Sequence, residues 1–195
     1  MFSADAIAVS VAEWLRPDRP KYRGIRCQQF SSDLERYREL IRELRPPFIV
    51  EIGSAEGGTA LLLADELGYV DSEGVLVSVD IAGAQPKHDR IVYVHGSSTH
   101  EDAVRTVYQV AAGRRGLILL DGDHTAEHVA LELDLYADLA SYLVVEDTIM
   151  RHLPGVTYGP HDALDAWLPE HPEFAVDPDP VPTQHPGGWL RRISG

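Results

Sequence analysis

Two short apolar runs in this chain end abruptly in acid. Leu117-Ile118-Leu119-Leu120 stops at Asp121, with Asp123 and His124 just beyond, and Leu143-Val144-Val145 stops at Glu146 and Asp147. Carboxylates crowded together without a cation repel one another, which raises their pKa values and costs stability. Oxygen-only donors such as Asp121, Glu146 and Asp147 select a hard divalent ion, Mg2+, with Mn2+ or Ca2+ as alternatives. Zinc fits less well, because the cluster holds no cysteine and one histidine. Consecutive strand residues face opposite ways, so Glu146 and Asp147 can share one ion only if the chain turns right there. The competing reading makes these acids caps of the helices that follow. His124 sits at the mouth of the proposed site, where a neutral imidazole beside a cation suits a general base. An aliphatic hydroxyl ionises at neutral pH only with help. Coordination lowers its pKa, His124 takes the proton, and the alkoxide can attack an electrophilic carbon.

A second group lies earlier. Glu51-Ile52-Gly53-Ser54-Ala55-Glu56-Gly57-Gly58-Thr59 closes an apolar run and leads into a helical pattern. Glycines let such a turn approach a ligand closely. The stretch is neither the dinucleotide fingerprint, which needs glycine at Ala55, nor a P-loop, which needs a lysine. Glu51 and Glu56 suit a cationic or hydroxyl-rich ligand better than a pyrophosphate. The next strand ends in Asp80, where an acid can bridge two ribose hydroxyls. S-adenosylmethionine has a ribose and a positive sulfonium and no phosphate, so it matches. An ordinary strand-turn-helix with a surface acid is the alternative.

The elements that must position these groups alternate. Strands are expected at 48–52, 75–81, 91–95, 116–121 and 141–146, with helical stretches between them, notably 58–67 and 125–140. Val-, Ile- and Leu-rich strands alternating with helices imply βαβ units and a parallel sheet covered on both faces. Upstream, residues 4–16 read as an amphipathic helix through Ile7, Val11, Trp14 and Leu15, followed by a polar connector. Ser32-Asp33-Leu34-Glu35 reads as a capping box opening a second helix, stopped by Pro46-Pro47. The tail offers a helix near 161–168, a strand near 173–176, a Pro-rich loop over 177–188, and a last strand from Trp189 to Ile193. Two late strands without a full crossover imply an antiparallel finish, giving a seven-stranded, mostly parallel sheet in one α/β domain over 1–195. That domain divides into N-terminal helices (1–45), a cofactor- and metal-binding core (46–150) and an acceptor-side remainder (151–195).

Bulk properties narrow the partners. The net charge of −14 argues against nucleic acid and anionic membrane surfaces, which want Lys/Arg clusters. No apolar run approaches the ~20 residues needed to cross a bilayer. The N-terminus, with Asp5 and Glu13, has no signal-peptide character. Cys27 is the one cysteine, a small core residue by type, and a cytoplasmic setting is expected.

With these residues in view, the chain resembles the cephalosporin hydroxylase/macrolide sugar O-methyltransferase family, Rossmann-like class I methyltransferases. The matching stretches are SSDLERYRELI, VEIGSAEGGTALLLADEL, VSVDI, HGSS, LILLDGDHTAEHVALELDLYADL, YLVVEDT, GPHDALDAWL and PGGWLRR, in family order across 31–192. The resemblance implies that Asp121, Glu146 and Asp147 hold Mg2+ and that His124 is the base. It assigns Glu51, Gly53, Ser54 and Asp80 to S-adenosylmethionine, with Ser97 and Ser98 near the adenine; Gly57 and Thr59 of the same loop join that set. Asp123 falls at a variable position and stays outside the metal shell. In its compact size the chain is more similar to short actinobacterial enzymes that methylate mannose-based oligosaccharides.

The expected activity is therefore metal-dependent methyl transfer to a hydroxyl of a sugar or oligosaccharide, by a homodimer or higher homo-oligomer. An oxygenase is the alternative from the family's name, but non-haem iron wants two histidines and the cluster offers one. A non-catalytic S-adenosylmethionine-binding module would leave the base and ligand set unexplained. Segment 177–188 is expected to be mobile alone and to order over a bound acceptor as a lid, with a static connector as the alternative. Tyr158, Trp189 and His161 are candidates for the acceptor side, with a buried core role weighed for Trp189. The histidines outside the cluster are otherwise expected at the surface.

Overall fold

The strand runs are apolar because the sheet they form is covered on both faces. A computed structural model describes residues 3–195. Helix α1 (Ala4–Trp14) and a hairpin of β1 (Lys21–Tyr22) and β2 (Ile25–Arg26) precede α2 (Ser31–Leu44). The main sheet then begins: β3 (Phe48–Ile52), α3 (Gly58–Val70), β4 (Val75–Asp80), β5 (Ile91–His95), α4 (Glu101–Ala111), β6 (Gly116–Leu120), α5 (Ala126–Tyr136) and β7 (Ala140–Val145). The chain finishes with α6 (Pro160–Trp167), β8 (Phe174–Val176) and β9 (Trp189–Arg192).

Seven strands lie in the order β5-β4-β3-β6-β7-β9-β8. The first five run parallel, and β9 pairs antiparallel with both β7 and β8. Side chains alternate between two cores, as the pleat requires. Val50, Ile52, Ile118 and Leu120 pack with α4, α5 and α6, while Ile49, Leu117 and Leu119 pack with α2 and α3. Strand order reverses between β3 and β6, and ligands of open α/β sheets sit at the carboxyl ends of the strands at such a point.

The structure departs from expectation at several places. The capping box does not form: α2 starts at Ser31 behind Phe30, with no side-chain cap. The Ser32 hydroxyl instead donates to the Pro182 carbonyl, and Asp33 accepts from the Gln184 N–H at 3.0 Å. A tertiary partner has outbid the local one. The 125–140 helix ends at Tyr136, a short 3-10 turn follows, and Ala140 already belongs to β7. The stretch 21–26 pairs as a hairpin rather than running as a connector, and α4 joins the helices that were singled out. Helix α1 is shorter than expected, and Leu15 is 73% exposed. Cys27 is buried in the core. No helix among the described residues is long and apolar enough to cross a membrane.

Candidate active site

A cavity of about 660 Å3 opens along the carboxyl ends of β4, β3, β6 and β7. That volume is of the size that takes a small-molecule ligand. Its floor lies at the reversal of strand order. The Asp121 N–H donates to the Ile52 carbonyl at 2.9 Å, drawing the ends of β3 and β6 together. Gly53 has φ +87°, and a Cβ there would stand 1.9 Å from the Asp121 carbonyl oxygen, so only glycine fits.

At one end, Asp80 organises two loops. Its Oδ2 accepts the N–H groups of Ser54 and Ala55 at 2.8 and 3.0 Å, and its Oδ1 accepts those of Ala82 and Gly83, both at 2.7 Å. Burial alone would raise its pKa, but the four donors outweigh burial and hold it below the ordinary carboxylate range. Gly53, Asp80, Ser97 and Ser98 line the cavity as expected. Glu51, Ser54, Gly57 and Thr59 do not. Glu51 is buried against the Ser78 hydroxyl at 2.8 Å, where burial pushes it up to about 8. Ser54 is buried and gives Asp80 its backbone, Gly57 is the N-cap of α3, and Thr59 donates to Gln29. The side chains of Glu51 and Thr59 are engaged inside the protein instead. The sequence reading missed His128, which lines the cavity with Nε2 3.0 Å from Ser98 Oγ and 3.2 Å from the buried Glu132.

At the other end the acids converge. Among the described residues, Asp121, His124 and Asp147 bring ligand atoms within 4.8 Å of one another. His124 Nε2 lies 3.2 Å from Asp121 Oδ1 and 3.0 Å from Asp147 Oδ2. Asp147 has φ 57°, so the chain does turn right after β7 and swings its carboxylate toward the cavity. Glu146 is buried and lies outside that trio. The Gln29 amide nitrogen donates to Asp121 Oδ2 and to Glu146 Oε2, at 2.9 Å each. The Tyr37 hydroxyl donates to Glu146 Oε1 at 2.7 Å. Asp147 stands at the N-cap position of the 3-10 turn 148–152 without a side-chain cap bond, and Asp123 accepts the Thr125 N–H in the turn ahead of α5.

The electrostatics match this crowding. Burial, then repulsion from Asp147, pushes Asp121 up to about 6, and burial with repulsion from Asp121 pushes Glu146 well above the carboxylate range. Burial alone would lower His124, but hydrogen bonds and charge from Asp121 and Asp147 outweigh it and push it up to about 11. The donor set is carboxylate oxygen with one imidazole, the chemistry of a hard divalent cation, so the residues fit such an ion.

The N-terminal region supplies a further wall of the cavity. Trp14 and Arg19 line the cavity beside Asp147, with Gln28 and Gln184. Arg19 donates to the carbonyls of Trp14, Arg16 and Gln28, which fixes the segment after α1 as a wall. Tyr158 is exposed away from the cavity, Trp189 is core, and His161 is buried beside Asp162. Within 177–188, Thr183, Gln184 and His185 are buried.

The family model for rhamnosyl O-methyltransferase/CmcI matches residues 17–193. The chain belongs to the rhamnosyl O-methyltransferase/CmcI family. A rhamnosyl O-methyltransferase of Mycobacterium bovis is 31% identical over 98% of this chain and 84% of its own length. The Mycobacterium leprae rhamnosyl O-methyltransferase is 32% identical over 76% of this chain and 70% of its own. CmcI solved with Mg and SAM superposes with a TM-score of 0.65 at 17% identity, over 94% of this chain and 84% of that one. The fold is thus that of the class I methyltransferases, and this family member is an O-methyltransferase.

Proposed function

We propose that the protein moves the methyl group of S-adenosylmethionine to a sugar hydroxyl, with a divalent cation held by Asp121, Glu146 and Asp147 and with His124 as general base. The observation that carries this reading is the meeting of Asp121, His124 and Asp147 at one end of a cavity whose other end is built by Gly53, Asp80 and Ser98. Glu146 belongs to the set because it and Asp121 already converge on one Gln29 nitrogen. The mycobacterial relatives named for a rhamnosyl acceptor and the CmcI form with Mg and SAM support the same reading.

Gly53 and the Asp80-bound loops would cradle the nucleoside, with Ser97 and Ser98 toward the base. Trp14 offers the acceptor an aromatic platform. A hard cation at the acids supplies two effects: it draws carboxylate charge away from His124, and it lowers the pKa of an acceptor hydroxyl. His124, so released, takes the hydroxyl proton. With S-adenosylmethionine bound, its methyl group would pass to the acceptor oxygen, the C–O bond forming as the C–S bond breaks and S-adenosylhomocysteine leaving, while His124 would hold the acceptor's proton. The oxygenase reading loses ground on the donor set, since the cluster brings one histidine rather than two.

Purified protein with S-adenosylmethionine, Mg2+ and a panel of rhamnosides and mannosides is expected to release S-adenosylhomocysteine without consuming oxygen. Chelation should stop turnover and added Mg2+ restore it. Turnover that required iron and dioxygen would overturn the reading. Asp80→Ala is expected to weaken S-adenosylhomocysteine binding by roughly 1.5–3 kcal/mol, the value of hydrogen bonds to a charged acceptor. The same variant should also melt earlier, because four backbone donors lose their partner. Calorimetry showing unchanged affinity would remove Asp80 from the cofactor site.

A further inference from the structure

Segment 183–188 is tied to the acids. Residues 183–188 hydrogen-bond to the turn after β7 along its length. The Val145 N–H donates to the Gly188 carbonyl at 2.9 Å, the Thr148 hydroxyl to the Pro186 carbonyl at 3.0 Å, and the Ile149 N–H to the Gln184 carbonyl at 3.0 Å. On the other side the same segment is held by the N-terminal helices. The Thr183 N–H donates to Ser10 and the Gln184 N–H to Asp33, both at 3.0 Å, and the Gln184 side chain accepts the Phe30 N–H at 2.8 Å. Gly188 passes so close to β7 that a Cβ would stand 2.2 Å from the Val145 carbonyl oxygen.

At the centre lies His185, fully buried against Tyr37 and Trp189. The Asp147 N–H donates to His185 Nδ1 at 2.9 Å. That bond puts the ring proton on Nε2, which faces the Tyr37 oxygen at 3.2 Å and Glu146 Oε2 at 3.5 Å. Tyr37 in turn donates to Glu146 Oε1. One imidazole therefore touches the backbone of Asp147 directly and the carboxylate of Glu146 both directly and through Tyr37. The ring Nε2 also lies 3.9 Å from Asp33 Oδ2, and a buried polar ring costs stability unless it has such partners. Asp147 also holds a left-handed backbone, φ 57°, which a non-glycine residue keeps only when its surroundings impose it.

The geometry points to His185 and Tyr37 as positioning residues that set the Glu146 and Asp147 carboxylates for a divalent cation, with segment 183–188 as a fixed clamp. The inference rests on reading the acid cluster as a cation site. Neither side chain needs to touch the cation or substrate, and the clamp is already closed. Its consequence is selective: loosening it should weaken cation binding and spare the nucleoside end of the cavity.

Mn2+ titration by calorimetry, paired with S-adenosylhomocysteine titration in the absence of cation, tests this. Tyr37→Phe keeps the ring and removes the donor to Glu146, and His185→Leu removes both ring nitrogens. Each is expected to weaken Mn2+ binding by about 10–100-fold, the usual effect of losing a partner that orients a ligand. His185→Asn keeps an acceptor for the Asp147 N–H but loses the Nε2 contacts with Tyr37 and Glu146, so its loss should fall between the wild type and His185→Leu. Binding of S-adenosylhomocysteine should be unchanged in all three. If folded Tyr37→Phe and His185→Leu bound Mn2+ as tightly as the wild type, the inference would be overturned. Equal losses of Mn2+ and S-adenosylhomocysteine affinity would overturn it too, because the cavity as a whole would then have collapsed. Should His185→Leu not fold, Tyr37→Phe alone decides. A wild type that bound no Mn2+ would be a separate result, against the cation site itself.

Discussion

Asp121→Asn is expected to lose divalent-cation binding and all useful turnover while keeping its fold. Asp121 stands where three interactions meet: His124 Nε2 at 3.2 Å, the Gln29 amide at 2.9 Å, and the Asp147 carboxylate across the shared imidazole. Its backbone holds β6 to β3 through the Ile52 carbonyl, and that contact does not depend on the side chain. The substitution removes a charge the cation needs and preserves shape. Loss of an outer partner costs ~10–100-fold in metal affinity, and loss of a direct ligand should exceed that. Removing a carboxylate from a crowded buried cluster also relieves repulsion, so the melting temperature should not fall. Calorimetric Mn2+ titration and a melting curve check both halves. Retained Mn2+ affinity would take Asp121 out of the shell.

His124→Ala should behave differently. The imidazole reaches two carboxylates, and without a cation those acids hold its proton up to about 11, so on its own it is no base at neutral pH. Base function and cation binding are thereby coupled in one direction. The base needs the carboxylate charge neutralised, whereas the carboxylates do not need the imidazole. The variant is expected to bind cation and S-adenosylhomocysteine while its rate falls by ~10²–10⁴, the usual range for a positioned general base. Single-turnover rates at saturating Mg2+ check this, and a rate within a few-fold of the wild type would move the base elsewhere.

Much of this arrangement was legible residue by residue. The runs ending at Glu51, Asp80, Asp121 and Glu146 were bounded by Gly or acid, and all became adjacent parallel strands. The acid-ended runs had to bring their carboxylates to one edge, because parallel strands share a carboxyl side. The turn needed at Asp147 followed from the period-two pleat, and its left-handed backbone supplies it. Loop residues were harder to sort. Glu51 and Thr59 bracket the right turn, but strand pleat and helix phase point both into the protein, and sequence alone showed only the bracket. Helix α4 was not singled out because its buried face is small, Ala103, Val107 and Ala111.

What the sequence could not show lies far apart along the chain. Gln29 meets Glu146 across 117 residues, Tyr37 meets it across 109, and His185 meets Tyr37 across 148. No local spacing marks such partners. Gln29 stands in Cys27-Gln28-Gln29-Phe30, which reads as connector, and His185 sits in a Pro- and Gly-rich run that favours loop by composition. The Ser32 capping box failed for a related reason: Asp33 and Ser32 were recruited by residues 182–184. Trp14 reached the cavity rim because α1 ends there, held by Arg19.

Asp121 and His124 share one contact and have different roles in the proposed reaction. Mn2+ titration of the two variants side by side, His124→Ala and Asp121→Asn, measures that division. The account predicts near wild-type Mn2+ affinity for His124→Ala and none for Asp121→Asn. If His124→Ala lost the ion as completely as Asp121→Asn, His124 would be a ligand, and the proposed proton transfer would have no base.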